Sequence, residues 1–260
     1  MQTKIEGIVL QKSFYRDRDV IAKILLRSGK LLSVLFYGGR GGGKSQKSSI
    51  IELGFLLSVE LKATTKVTEL YSAREWALKW DYKQIRDNHE AFYLMCLFLE
   101  VIQSLGVQED MKNVEETEHE GIFNVLSNAI FYLEKSVEAK NLNSPGQLLF
   151  FLTKLLNKVG VLPDLDHCTH CGSDLADKRI HLESNQGGFS CCLSQEQIEF
   201  SSDMDAQGIR HFMIRALRVP YAEIGKFELS HYDWSKILLR YLSFQFHFEL
   251  NKFKSTQMLF

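Results

Sequence analysis

The chain has 260 residues, of which 45% are hydrophobic and 24% charged, the balance of an ordinary globular protein. It has no apolar run of about 18 residues and no basic, apolar leader at its start, so we expect a cytoplasmic protein without a membrane span or secretory signal. Its five cysteines are odd in number and clustered, which favours metal binding over disulfides.

Charge is distributed unevenly along the chain. The whole sequence carries 31 basic and 32 acidic residues, but the first 80 residues hold 14 basic and 7 acidic, leaving 17 and 25 to the remainder. Such asymmetry between two parts of a chain is typical of a polyanion-binding module, here at the N-terminal end.

The N-terminal part is predicted to form strands. Val20, Ala22 and Ile24 alternate with Lys23 and Arg27, so one face of this strand is expected to be buried and the other partly exposed to solvent. Five short strands around a long glycine loop predict a small closed barrel of the OB type, with an SH3-like barrel as the alternative. The predicted strands are residues 4–12, 20–27, 31–37, 50–61 and 66–71.

After Tyr71 the hydrophobic period becomes helical. Asn88, Ser144 before Pro145, and a capping box of Ser230 and Asp233 are predicted helix starts. The predicted helices are residues 86–105, 121–140, 145–159, 205–217 and 231–253. The expected fold is α+β and multidomain: an OB-fold β-barrel (1–80) is followed by an all-helical domain (81–163 and 201–260) with an inserted zinc-finger-like knuckle (164–200).

The loop from Gly38 to Ser45 matches the phosphate-loop pattern GxxxxGK[ST]. No helix-forming sequence follows it and no apolar strand ending in aspartate comes later, so nucleotide hydrolysis is an alternative function and no nucleotide is expected. The same loop carries Arg40, Lys44 and Lys47 on a glycine tether, which suits a phosphate backbone of variable shape.

Aromatic residues near these basic positions can stack on unpaired bases. We expect Tyr15 and Tyr37 to be the exposed rings and Phe36 to be buried. Apart from the phosphate-loop pattern, no enzyme motif is present, so we predict a non-enzymatic nucleic-acid-binding protein. The predicted contacting residues are Lys12, Tyr15, Arg16, Arg18, Lys23, Arg27, Tyr37, Arg40, Lys44 and Lys47.

A second constellation begins with the Cys-x₂-Cys pair Cys168 and Cys171, followed by Cys191 and Cys192. Two pairs at this separation typically close a tetrahedral, structural Zn²⁺ site. The position at which a second Cys-x₂-Cys would end is Ser194, a poor zinc ligand. The fourth ligand is therefore Cys192 or one of three histidines, and a metal-free remnant is the alternative. Those histidines are His167, His170 and His181.

The segments EGIVL (6–10), LGF (53–55) and GVLPDLDHCTHCG (160–172), with the glycine loop, resemble the RecO family of recombination mediators, and the resemblance runs the length of the chain. It implies an OB-fold, a helical domain and an embedded zinc finger. It further implies a nucleoid-associated protein that binds single- and double-stranded DNA and anneals complementary strands. The sequence departs from the family's four-cysteine pattern at Ser194.

The resemblance also implies partners. With RecR, such proteins help to load RecA onto DNA coated by single-stranded-DNA-binding protein, and their helical domain docks the acidic C-terminal tail of that protein. Arg215, Arg218 and Arg240 are the basic residues on late helices that could pair with tail carboxylates. An RNA-binding barrel protein is a further alternative, because nothing in the residues separates DNA from RNA.

Overall fold

The computed structural model describes residues 3–39, 50–63, 70–105, 120–192 and 206–260. The chain divides into two compact units, Met1–Lys140 and Asn141–Met258. Among the described residues, no helix combines the length and apolar character needed to cross a bilayer.

The first unit contains a closed five-stranded barrel in the order β1-β2-β3-β5-β4, with β4 pairing back onto β1. Neighbouring strands are antiparallel except β3 and β5, which are parallel. This order confirms the predicted OB-type barrel over the SH3-like alternative. The strands are β1 (Thr3–Tyr15), β2 (Asp19–Leu26), β3 (Leu31–Phe36), β4 (Leu56–Leu61) and β5 (Leu70–Trp80).

The alternation predicted for β2 places its apolar residues in the barrel interior. Val20, Ala22 and Ile24 are fully buried, and Ile24 lies opposite Val9 of β1. At Gly7 an added Cβ would lie 2.4 Å from the carbonyl oxygen of Leu25, so only glycine lets β1 and β2 approach this closely.

The last barrel strand differs from the sequence prediction. The sequence predicts a strand only as far as Tyr71, followed by a helical hydrophobic period, but β5 runs on to Trp80. In β5, Trp76 pairs with Val59 of β4 and packs edge-on against the buried ring of Phe36, with the ring centroids 5.2 Å apart. Cross-strand pairing and core packing therefore override the helix propensity of the Ala, Glu and Leu residues in this segment.

In the described part of the first unit, the barrel is followed by helices α1 (Gln84–Asp87), α2 (His89–Leu105) and α3 (Glu120–Glu138). Asn88 caps α2 as predicted, because its Oδ1 accepts the backbone N–H of Ala91 at 3.0 Å. The Nε2 of Gln103 on α2 donates to Oε1 of Gln11 on β1 at 2.9 Å, on the barrel's outer side.

The second unit is built around α4, whose Leu148, Phe150 and Leu152 are fully buried and which packs against α5 and α6. Outside residues 193–205, the regular elements of this unit are α4 (Ser144–Lys158), β6 (His181–Glu183), β7 (Gly188–Ser190), α5 (Ala206–Arg218), α6 (Asp233–Phe246) and α7 (Thr256–Leu259), with 3₁₀ helices at Tyr221–Lys226 and Leu250–Lys252.

Two predicted helix starts in this unit are wrong. The cap of α4 is Asn143 rather than Ser144, because Oδ1 of Asn143 accepts the N–H of Gly146 at 2.8 Å. The same amide also bonds both backbone groups of Leu229, a long-range contact that no local pattern encodes. Helix α6 follows Tyr232 without a side-chain cap, so the expected capping box does not form.

Candidate nucleic-acid interface and metal site

The turn between β1 and β2 lies beside the end of β3 at one end of the barrel. Tyr15 pairs with Asp19, Val20 pairs with Phe36, and the N–H of Gly38 donates to Oδ1 of Asp19 at 2.9 Å. The chain leaving β3 therefore runs past the turn formed by residues 16–18.

The end of β4 reaches the same region. Lys62 donates its backbone N–H to the carbonyl of Ser72 at 2.8 Å, and Ser72 pairs with Leu35 of β3. The Nζ of Lys62 lies 4.5 Å from the ring centroid of Tyr37. We call this end of the barrel the aromatic rim, made of Phe14, Tyr15, Arg16, Arg18, Tyr37 and Lys62.

The rim exposes aromatic rings that have cationic side chains close to them. Phe14 is 61% exposed, Tyr15 38% and Tyr37 47%, whereas Phe36 is fully buried, as the sequence predicts for these tyrosines and Phe36. Arg16 lies 5.1 Å from the ring centroid of Tyr15, and Lys12 lies 5.6 Å from that of Phe14. In OB-folds the loops after the first and fourth strands, together with the face of the second and third, bind oligonucleotides, and the rim contains the first of these loops and the start of the second.

The predicted basic residues differ in whether an acidic side chain pairs with them. Arg16, Arg18 and Lys23 form no ion pair with another described residue. Lys12 is only 18% exposed and pairs with Glu52 at 3.0 Å. A charge paired in this way contributes less to the field that a polyanion meets.

Arg27 lies at the opposite end of β2, about 25 Å from Asp19 along the strand. It donates to Oε2 of Glu6 at 3.0 Å, and its guanidinium lies 5.2 Å from the ring centroid of Phe123. The hydrogen bond from Arg27 holds the pKa of Glu6 below its usual value despite partial burial. The structure therefore does not bring Arg27 to the rim.

The remaining predicted contacts are separate from the rim or outside the described residues. Lys23 lies on the outer face of β2, between Gln11 and Ser33 of the neighbouring strands. The loop positions Arg40, Lys44 and Lys47 fall outside the described residues. Residues 51–55 are not helical, and residues 40–49, where a phosphate loop would pass into its helix, fall outside the described residues.

Sequence reasoning left Lys62 and Phe14 out of the predicted site. Lys62 is a single lysine after a strand, and only the pairing of β5 with both β4 and β3 brings it beside Tyr37. For Phe14 a local signal existed, because Lys12 and Phe14 are two residues apart on one strand and therefore share a face.

The four clustered cysteines come together in the second unit. Cys168 begins a tight turn closed by the N–H of Gly172 donating to its carbonyl at 2.9 Å, and Cys191 follows β7. All four Sγ atoms, those of Cys168, Cys171, Cys191 and Cys192, lie within 4.8 Å of one another, and those of Cys171 and Cys191 are 3.6 Å apart. Tetrahedral zinc with Zn–S bonds of about 2.3 Å places its sulfurs about 3.8 Å apart, so the cluster fits such an ion.

Hydrogen bonds favour the thiolate form of Cys168 and Cys171 but not that of Cys192. Burial raises the pKa of Cys168, but donation from the backbone N–H groups of Cys171, Cys191 and His170 outweighs it and lowers that pKa to about 5. A hydrogen bond from Ser173 lowers the pKa of Cys171. The pKa of Cys192 is raised to about 12, first by its hydrogen bond with Cys171. Deprotonated sulfur is the form that coordinates metal.

Two of the histidines considered as a fourth metal ligand lie beside carboxylates instead. Nε2 of His170 lies 3.2 Å from Oε2 of Glu183, and Nδ1 of His167 lies 3.5 Å from Oδ2 of Asp164. Within the described ranges, the metal-compatible group consists of the four cysteines and contains no histidine. Ser194 lies outside the described residues.

The segment carrying the cysteines is tied to the helices of its unit. Gln207 of α5 donates to the carbonyls of Leu175 at 2.6 Å and Lys178 at 2.7 Å. The hydroxyl of Tyr241 on α6 donates to the carbonyls of Val161 at 3.0 Å and Gly187 at 2.9 Å. The knuckle is thus bonded to α5 ahead of its hairpin and to α6 at the turn of the hairpin.

The late arginines are exposed. Arg215 and Arg218 lie on the outer side of α5, a helix without acidic residues, and Arg240 lies on α6. The guanidinium of Arg215 is 5.0 Å from the ring centroid of Phe227. These side chains are accessible to an anionic group.

Comparison with known proteins shows similarity over both units. The family model described as "Recombination protein O C terminal" matches residues 113–256. Among the proteins similar to this chain are three bacterial proteins named "DNA repair protein RecO". That of Caldanaerobacter subterraneus subsp. tengcongensis is 23% identical over 97% of this chain and 95% of its own length. Those of Thermodesulfovibrio yellowstonii and Bacillus pumilus are 25% and 26% identical, over 91% and 75% of this chain and 86% and 70% of their own lengths.

Proposed function

Because the chain belongs to the RecO family, we propose that it is a non-enzymatic mediator of DNA repair and homologous recombination, acting at the nucleoid in the cytoplasm. It binds single- and double-stranded DNA and anneals complementary strands. With RecR it helps to load RecA onto DNA coated by single-stranded-DNA-binding protein. The names of its relatives support the repair role.

The observation that carries the proposal is the aromatic rim on an OB-type barrel. Its exposed rings suit unpaired bases, and Arg16, Arg18 and Lys62 suit the phosphates between them. Cations at the barrel lower the repulsion between two polyphosphate strands held near one another. Base pairing then supplies the free energy of annealing, so no nucleotide is required.

We assign the cysteine cluster a structural role in the same protein. Cys168, Cys171, Cys191 and Cys192 would hold one Zn²⁺, which cross-links the turn after Cys168 to the end of the β6–β7 hairpin. The ion would have no open coordination position, since four thiolates fill a tetrahedron. Its contribution is to the stability of the knuckle.

The exposed arginines are the proposed contact for the protein partner. A C-terminal tail rich in carboxylates would pair with Arg215, Arg218 and Arg240, because guanidinium groups bind carboxylates through two parallel hydrogen bonds. The RecR contact and the indirect interaction with RecA rest on family membership.

An annealing assay tests the proposal. Complementary oligonucleotides, each coated with single-stranded-DNA-binding protein, are mixed with the full chain without nucleotide, and duplex formation is followed by fluorescence energy transfer. We expect annealing to be accelerated and to slow as salt rises. An unchanged annealing rate in dilute buffer would refute the proposal.

Two further measurements test the alternatives. Competition between matched RNA and DNA strands distinguishes an RNA-binding protein from a DNA-binding one. Unaltered binding in the Arg40/Lys44/Lys47→Ala variant would exclude the glycine loop from the binding site.

A further inference from the structure

We infer that a single strand crosses the barrel along the aromatic rim, from Arg18 to Lys62, with its bases on Tyr15 and Tyr37. Lys62 is then a binding residue, and the end of β2 at Arg27 lies outside the path. This inference rests on the proposed function, which it makes specific for unpaired bases.

The positions of the two tyrosines set the direction of the path. Tyr15 pairs with Asp19 across β1 and β2, and Tyr37 follows Phe36, which pairs with Val20. The two tyrosines thus flank Asp19 on neighbouring strands. At about 4.8 Å between strands, their backbones are about 10 Å apart, a separation that successive stacked bases of one extended strand can bridge.

Asp19 keeps this geometry in place. Its carboxylate accepts the N–H of Gly38 at 2.9 Å, which ties the chain after Tyr37 to the start of β2. A carboxylate between the two rings also repels phosphate, so the sugar–phosphate backbone is directed to the cations at either side.

Cation placement supports stacking on both rings. Arg16 lies over Tyr15 at 5.1 Å and Lys62 over Tyr37 at 4.5 Å, both measured to the ring centroid. A cation over a ring occupies at most one of its faces, so a base needs only the other. From the same position the cationic side chain can also contact a phosphate. Each ring–cation pair can therefore stack on a base and neutralise a neighbouring phosphate.

Charge pairing distinguishes the rim from the opposite end of β2. Arg16, Arg18 and Lys62 have no ion-pair partner among the residues the structure describes. Arg27 and Lys79, by contrast, share Glu6, at 3.0 and 3.6 Å. A polyanion therefore meets less compensated positive charge at the rim than at the Arg27 end of β2.

Stacking on protein rings requires bases that are not already stacked on each other. In a duplex both faces of an interior base are covered by its neighbours, so Tyr15 and Tyr37 can engage unpaired bases only. The rim should therefore hold a single strand more tightly than a duplex with the same number of phosphates.

The first test compares a thymidine oligonucleotide with an abasic strand of equal length, both binding the full chain in fluorescence anisotropy. We expect the thymidine strand to bind more tightly, by roughly 5- to 150-fold for each stacked ring. Tyr15/Tyr37→Ala should remove most of that preference and Tyr15/Tyr37→Phe should keep it. Equal binding of the two strands by the wild-type chain would overturn the stacking inference while leaving DNA binding intact.

The second test separates Lys62 from Arg27. Lys62→Ala should lower the slope of log affinity against log salt by about 0.7, the value for one single-strand phosphate. Arg27→Ala, which removes the same charge outside the path, should leave the slope unchanged. Equal slopes for Lys62→Ala and the wild type would overturn the path. Thermal unfolding of both variants confirms that they fold, and failure of the wild type to bind either oligonucleotide would instead refute the proposed function.

Discussion

The carboxylate of Glu134 on α3 accepts the backbone N–H of Ile85 in α1 at 2.9 Å. It also accepts the N–H groups of Lys83 and Gln84, each at 3.0 Å. The first N–H groups of a helix have no acceptor within that helix. Glu134, which is only 8% exposed, supplies that acceptor from about 50 residues further along the chain. One side chain therefore links the segment after the barrel to α3.

Glu134→Ala should lower the free energy of unfolding by about 1–3 kcal/mol, because three backbone donors, of which that of Ile85 is buried, lose their acceptor. Urea unfolding at neutral pH measures the loss. Glu138→Ala, one turn further along α3, removes an exposed carboxylate paired with Lys135 and should cost about 0.5 kcal/mol or less. Similar losses in the two variants would contradict the capping role.

Gly146→Ala should destabilise the second unit by about 3 kcal/mol or more. An added Cβ would lie 1.8 Å from the carbonyl oxygen of Phe227 and 2.5 Å from Oδ1 of Asn143, so the backbone must shift. Gly225→Ala is the matched control, because its Cβ would meet nothing nearer than 4.0 Å. Thermal unfolding of the two variants provides the comparison, and equal melting temperatures would show that the helix start can adjust.

The metal assignment predicts one zinc ion per chain by mass spectrometry under native conditions. Cys192→Ser should reduce that content strongly, since serine is a poor zinc ligand. Cys96→Ser, which alters a cysteine on α2, should retain it. Full zinc content in Cys192→Ser would mean that another group completes the site.

Alkylation should separate Cys96 from the cluster. Burial, with a smaller contribution from Glu100, raises the pKa of Cys96 to about 11, so at pH 8 it is an unreactive thiol. Iodoacetamide added at pH 8 after chelation should therefore modify Cys171 well before Cys96, as measured by peptide mass. In urea all five cysteines should react. Equal rates in the folded chain would contradict the burial of Cys96.

Arg16/Arg18→Ala should lower the salt slope for single-stranded DNA by about 1.4, at about 0.7 for each phosphate contact. The control variant Lys226/Lys252→Ala removes two charges from exposed i,i+3 ion pairs in the second unit and should leave the slope unaltered. A similar change in both variants would show that binding responds to net charge rather than to the rim.

Local sequence patterns predicted much of the barrel and most helices. The period-two pattern of β2 and the cap at Asn88 depend on neighbours a few residues away, and both appear as predicted. β5 was missed beyond Tyr71, because its partner β4 is separated from it in sequence and outweighs local helix propensity. Asn143 was missed as a cap for a similar reason, since it also holds Leu229.

For the sites, the sequence by itself determined which residues are chemically suited: exposed tyrosines beside arginines, and cysteines spaced for a metal. Only the tertiary structure decided which of them meet. The pairing of β5 with both β3 and β4 brings Lys62 to Tyr37, whereas Arg27 pairs with Glu6. The knuckle brings the sulfur of Cys192 to those of the other three cysteines. The physical reason is that charge and side-chain type are local properties, whereas proximity across strands and hairpins depends on how distant segments pack.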